Sequence, residues 1–311
     1  MNSNDENQNP CEPGSGPESP AQISSRSTLN IVTPETLPKA APRESSTNTE
    51  SFRHTNRAIA DDLRVPWGWL DLSLLVLIAV AGLVLFWMFI AVGFHAAGIT
   101  RDQFQHSMAY QGFFAIVAMA LMSLFLLAYL AAQMRFRFRS PVWRTLGWRP
   151  LETGESHPQI AYLRLIGGGI LLSMLVALAS SAFTPKNKMP IAQFLQDRHT
   201  ALLLLIMSVT LAPLFEETIF RGYIYPVVAR TFGVMPGIIF TGLIFGLMHA
   251  SQLGGNVPQV ALLVSVGIVF TAARARTGTV LASYLLHVSY NSFIAAAFLI
   301  ASHGLRHMPT A

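Results

Sequence analysis

Charge is scarce in this chain, and cysteine is nearly absent. Charged residues make up 12% of the 311, against 52% hydrophobic, where soluble domains carry about 25% charge. The shortage is uneven. Nine of the sixteen Asp and Glu, and six of the twenty-one Lys and Arg, precede residue 67. The chain beyond residue 67 is too poor in charge for an ordinary soluble domain and points to a polytopic membrane protein. The single cysteine, Cys11, excludes an intramolecular disulfide and reads as an incidental free thiol. No GxSxG nucleophile elbow precedes a helix, and no HExxH zinc helix occurs.

Residues 1–64 are rich in Ser, Pro, Asn, Thr and Glu and have no apolar periodicity. Such a segment cannot bury enough surface to offset its ordering entropy, so a disordered tail is expected. Its start lacks the short apolar core of a secretory signal. From residue 67 onward seven apolar spans are expected, near 68–95, 108–133, 160–183, 200–228, 233–250, 257–273 and 279–301. A helix needs roughly 20 apolar residues to cross the hydrocarbon, so the fifth and sixth are short. The fold class is therefore all-α, a transmembrane helix bundle. Its expected divisions are the tail (1–64), N-terminal membrane helices (65–199), a catalytic helical core (200–301) and a short C-terminal tail (302–311).

Arginine placement gives an orientation. Arg135, Arg137, Arg139, Arg144 and Arg149 lie after the second span, and basic short loops stay cytoplasmic. A multi-pass protein of the cell membrane with a cytoplasmic N-terminal tail is expected. Lys186, Lys188 and Arg198 fall on the other side and oppose this mildly. The basic balance then reflects topology, and nucleic acid is not an expected partner.

Against this background "LAPLFEETIFRGYIYP" (211–226) stands out, because no charge occurs from Ala201 to Phe215. Ionisable groups at membrane depth are costly and mark function. Glu217 and Arg221 are four apart, share a helix face and can pair. Glu216 points about 100° away. Pro213 cannot donate to the carbonyl of Val209 and is expected to kink the helix there. "FGLMH" places Phe245 and His249 on the fifth span, and "HVSYN" places His287 and Asn291 on the seventh. Glu216 lies fourteen residues from Arg230, roughly 21 Å of helix, and His249 sixteen from Gly233, roughly 24 Å. They can meet at one level. Gly242 and Gly246 form a small-xxx-small pattern for close helix approach.

Each group alone fits a structural role. A carboxylate, two imidazoles and an amide together suit the hydrolysis of an amide by activated water. Glu216 is then the general base and His249 helps hold the water, with His287 and Asn291 facing the oxyanion. Glu216, His249 and His287 also form a possible three-ligand set for catalytic zinc, so glutamate-dependent and metal-dependent mechanisms both stand.

At these residues the chain resembles the CAAX prenyl protease and bacteriocin-processing (CPBP) family of intramembrane proteases. "EETIFR" matches its EExxxR motif, "FGLMH" its FxxxH and "HVSYN" its HxxxN/D, in the right order over about residues 200 to 300. The resemblance implies an intramembrane endopeptidase acting on a peptide or membrane-protein substrate within the lipid bilayer. It makes Glu216, Glu217, His249, His287 and Asn291 the catalytic set, supported by Arg221 and Phe245, and leaves open whether a metal such as zinc takes part. The alternatives are a non-proteolytic scaffold or immunity factor on the same fold, and a transporter gated by Glu217–Arg221. The confinement of intramembrane polar groups to the C-terminal half argues against a transporter.

Overall fold

The structure, a computed structural model, describes residues 61–152 and 158–308. The expected disordered tail lies outside the described residues as far as residue 60, and Cys11 with it. Among the described residues there are helices and turns and no strands. Residues 61–64, grouped by composition with the tail, pack against the bundle. Asp61–Leu63 forms a single 3₁₀ turn, Leu63 is buried, and Asp62 Oδ2 accepts from Arg274 at 2.6 Å.

The chain then runs through α1 (Trp69–Ala96), α2 (Arg101–His106) and α3 (Met108–Ala132), which passes into a π-helical turn, Gln133–Arg137. After α4 (Val142–Thr145) come α5 (Pro158–Ser181) and α6 (Pro190–Phe194). The next span is broken into α7 (Arg198–Val209), α8 (Leu211–Glu217), a second π-helix (Thr218–Ile224) and α9 (Tyr225–Phe232). α10 (Val234–Met248), α11 (Val257–Thr277) and α12 (Val280–Ala301) complete the bundle.

Six of the described helical runs are long and apolar enough to cross a membrane, and α10 is shorter. The exposed surface agrees. Leu77 is 64% exposed, Phe89 71% and Val92 66% along α1, a continuous apolar face of the kind that lipid covers. The protein is a multi-pass membrane protein. The sixth span, expected to be short, runs 21 residues to Thr277 because its last turn carries Arg274 and Arg276 without breaking the helix. The fifth stays short at 15 residues, roughly 22 Å, less than the thickness of a hydrocarbon layer of about 30 Å.

Two sequence devices shape the C-terminal half. α7 stops at Val209 because Pro213, four residues on, has no N–H for the Val209 carbonyl. Thr210 takes up the break at φ −120°, ψ −90°. Polar side chains then serve the loosened carbonyls. Thr210 Oγ1 donates to Ile206 at 2.6 Å, and Asn291 Nδ2 donates to Ser208 at 2.7 Å. The second device is close packing of α10 on α11. A Cβ on Gly242 would lie 2.6 Å from the Ile268 nitrogen, and one on Gly246 2.6 Å from the Val264 nitrogen. Only glycine lets the two backbones approach so closely.

One expectation is corrected. Buried polar groups are not confined to the C-terminal half. Asp71 on α1 and Gln133 at the end of α3 are 5% and 6% exposed. Sequence alone does not single them out, because Asp71 lies in a first helical turn and Gln133 is uncharged. Asp71 Oδ1 pairs with Arg137 and accepts from Gln133 Nε2 at 3.3 Å, while Tyr223 Oη donates to Gln133 Oε1 at 2.6 Å. This cluster ties the first two spans to the second π-helix.

Candidate active site

The broken fourth span carries the site. Glu217 ends α8, and Arg221 sits one turn on inside the π-helix. Both are 0% exposed. Arg221 Nη1 donates to Glu217 Oε1 at 2.9 Å. Its Nη2 donates to the Gly267 carbonyl at 2.8 Å, and its Nε to Thr271 Oγ1 at 3.2 Å. The guanidinium also stacks 4.6 Å from the centroid of the Phe245 ring and 5.4 Å from that of Phe270, the geometry of a cation–π contact. A buried charge is tolerable when paired and hydrogen-bonded to this extent. Arg221 therefore fastens the π-helix to α11.

His287 joins the same carboxylate. Its Nδ1 lies 2.8 Å from Glu217 Oε1. A carboxylate oxygen accepts, so Nδ1 donates and Nε2 faces elsewhere. That direction is toward Glu216, whose Oε2 is 3.8 Å from Nε2. His249 repeats the pattern. It sits at the C-cap of the short α10, with Nδ1 2.8 Å from the Phe245 carbonyl. A carbonyl also only accepts, so His249 Nε2 is directed at Glu216 Oε1, again at 3.8 Å. Glu216 is thus bracketed by two imidazole Nε2 atoms. Both gaps exceed a direct hydrogen bond and suit a water shared between the partners.

Exposure separates two layers. The side chains of Glu216 and His249 are 17% and 20% exposed, that of His287 5%, and those of Glu217 and Arg221 0%. Glu216 and His249 face the accessible side, and Glu217–Arg221 is sealed beneath. Phe245 and Phe270 wall the cluster, with centroids 5.8 and 4.8 Å from the His287 ring.

The structure brings together Glu216, Glu217, Arg221, Phe245, His249 and His287. Asn291 shares the His287 face of α12 but is engaged with the Ser208 carbonyl at the helix break. The sequence reading missed Gly267, Phe270 and Thr271 of α11. The four-residue spacing of Gly267 and Thr271 was a signal. However, Gly267 acts through its backbone, which hydropathy and motif searches do not register.

The donor set of two imidazoles and a carboxylate is one zinc accepts in chemical kind. Yet among the described residues no group of three or more His, Cys, Asp or Glu is arranged to hold a metal ion. The two Nε2 atoms approach different oxygens of Glu216, each at 3.8 Å. As placed, these side chains do not form a metal cage.

No curated protein and no solved structure matches the chain. Residues 198–293 match the family described as Rce1-like, type II CAAX prenyl endopeptidase Rce1-like. This stretch begins with α7 and ends just past Asn291, so it contains all three motifs and the α11 residues that hold Arg221. Over residues 198–293 the chain is thus similar to the Rce1-like CAAX prenyl endopeptidase (CPBP) family.

Proposed function

We propose that the protein is an intramembrane endopeptidase in which Glu216 activates a water for attack on a peptide bond of a membrane-associated substrate. The observation that carries this reading is the bracketing of a partly accessible Glu216 by two imidazoles, above a sealed Glu217–Arg221 pair. The water sits between Glu216 and His249. Glu216 takes its proton while His249 Nε2 accepts its other hydrogen. The resulting hydroxide attacks the scissile carbonyl, and Glu216 passes the proton to the departing amine.

The carbonyl oxygen becomes an oxyanion and needs donors. His287 supplies one from Nε2, oriented by Glu217 2.8 Å from its other nitrogen. Asn291 supplies the second donor with the Nδ2 hydrogen that Ser208 does not use. In the cell membrane, the arginine-rich ends of the spans and the N-terminal tail face the cytoplasm.

The test is cleavage of a labelled membrane-peptide library by the purified protein. Glu216→Gln keeps the shape of the side chain but cannot take the proton. A loss of at least ~10²-fold is expected, with an unchanged melting curve. Activity retained in a clean preparation would remove Glu216 from the base role. Activity that falls with chelator and returns with zinc would overturn the metal-free route. An intact Glu216→Gln phenotype in cells, with no cleavage by the wild type, would favour a scaffold.

A further inference from the structure

A cavity of about 450 Å³ opens at the end of the bundle opposite the arginine-rich loops. It is lined by Phe183 and Lys186, just past the end of α5, and by Asn256, Val257 and Gln259 at the start of α11. The cavity has no part in the chemistry above. Its wall is a built structure. Asn187 and Asn256 zip the two loops together, with Asn187 N donating to Asn256 Oδ1 at 3.0 Å and Asn256 Nδ2 donating back to the Asn187 carbonyl at 2.9 Å.

Gln259 is the unexplained group. It is 8% exposed, and neither its Nε2 nor its Oε1 has a hydrogen-bond partner among the described residues. A buried amide left unpaired is costly, so a side chain kept this way on a cavity wall expects company. Two further features say of what kind. Asn256, the N-cap of the 21-residue α11, spends its side chain on Asn187 and Leu253 and makes no cap bond. Pro258 at the second helical position has no N–H and the Asn256 N–H is bonded to the Leu253 carbonyl, so the backbone donors left to an anion in this first turn are Val257 and Gln259, at the positive end of α11. Among the described residues lining the cavity, Lys186 alone carries a charge.

Lys186, the α11 N-terminus and Gln259 Nε2 all favour an anionic oxygen. Gln259 Oε1 needs the opposite, an N–H or O–H donor. The ligand must present both. The place is also defined. α5 leaves its membrane-spanning run at Ser181 and α11 enters its own at Val257, so the cavity lies where lipid headgroups lie. Phe183 is 46% exposed and Val257 75% exposed, and they offer apolar contact to acyl chains beside it.

We propose that this cavity is a headgroup site for a phospholipid whose phosphate is followed by a hydrogen-bond donor, an ethanolamine or glycerol headgroup. The phosphate meets Lys186, Gln259 Nε2 and the start of α11. The headgroup ammonium or hydroxyl meets Gln259 Oε1. A choline headgroup has the phosphate and no donor, so it satisfies only half of the site. α11 also carries Gly267 and Thr271, so a lipid bound at its first turn braces the helix that holds Arg221.

The experiment is lipid retention by the purified full-length protein, read by native mass spectrometry after delipidation. Phosphatidylethanolamine, phosphatidylglycerol and phosphatidylcholine are added back separately. The wild type is expected to retain one ethanolamine or glycerol lipid about tenfold better than the choline lipid, the worth of one charge-assisted contact. Gln259→Leu, which removes the unpaired amide, should abolish that preference, and Lys186→Ala, in an exposed loop, should lower retention of all three lipids, since each carries the phosphate. An unchanged melting curve for Lys186→Ala guards against misfolding. Equal retention of the three lipids by the wild type, no retention at all, a preference that survives Gln259→Leu, or retention untouched by Lys186→Ala would overturn the proposal. So would displacement of the lipid by an equal concentration of soluble phosphoethanolamine, because the acyl chains would then contribute nothing.

Discussion

Two buried polar clusters meet the same π-helix, and they are finished differently. The one around Asp71 closes on itself. Asp71 Oδ2 accepts from the Gly68 N–H at 2.9 Å and Oδ1 from Gln133 Nε2 at 3.3 Å, and Gln133 Oε1 accepts from Tyr223 at 2.6 Å. The one around Glu217 is left open. Glu217 Oε2 is buried without a partner among the described residues, and Glu216 stands 3.8 Å from each imidazole beside it. A satisfied network fastens helices together. An unsatisfied one keeps donors and acceptors in reserve for something that arrives. Burial and charge alone do not separate the two clusters; the state of completion of their hydrogen bonds does.

That contrast can be broken by substitution. The largest effect belongs to Glu216→Gln, where peptide hydrolysis falls at least ~10²-fold while the melting temperature holds. Next come Glu217→Ala and Arg221→Ala. Each leaves a fully buried charge without its partner, at a cost of about 3–5 kcal/mol, and so lowers membrane yield as well as activity. The double substitution should recover part of the yield. Single variants that express and melt like the wild type would show that the pair does not bear on stability.

Tyr223→Phe tests the closed cluster and should give the reverse of Glu216→Gln. It leaves Gln133 Oε1 without its donor, for about 1–3 kcal/mol. The melting temperature drops, and cleavage per folded molecule stays near the wild-type value. A loss of turnover without loss of stability would mean that this cluster belongs to the chemistry.

The smallest effect is outside the membrane, at Asp197. The Thr200 backbone N–H, 2.8 Å from its carboxylate, holds the Asp197 pKa below its ordinary value. A depressed folded value means that the stabilisation is present above the unfolded value and lost as pH falls through the folded one, below about pH 4. Asp197→Ala should cost about 1 kcal/mol at neutral pH. Thermal melts of the two proteins should converge in acid. A gap that persists there would assign the effect to packing.

Much of this arrangement was legible because helical spacing is regular. Glu217 and Arg221 at i and i+4 were readable as a pair, and Pro213 as a helix break at Val209. Glu216 and His249 could be set at one level by counting residues from the arginine-rich end. The π-helices were not readable, since a wider turn over Thr218–Ile224 leaves no mark on hydropathy. The third fastening point of Arg221, the Gly267 carbonyl, has no side chain to announce it. Asn291 illustrates a different limit. Periodicity showed which face it shares with His287, but not that the carbonyl of Ser208, on another helix, stands within reach of its amide.

The brevity of α10 has a consequence for the lipid around the protein. Its 15 residues cover roughly 22 Å of a hydrocarbon layer about 30 Å thick. His249 therefore caps a helix that stops short of the far surface, and the turns from Ala250 to Gly255 complete the crossing. Irregular backbone at that depth persists only beside protein or water. A bilayer thinned at that point, or water beside these turns, is what such backbone requires. Hydrophobic mismatch is thus expected to be a variable of the candidate site, with cleavage that depends on bilayer thickness.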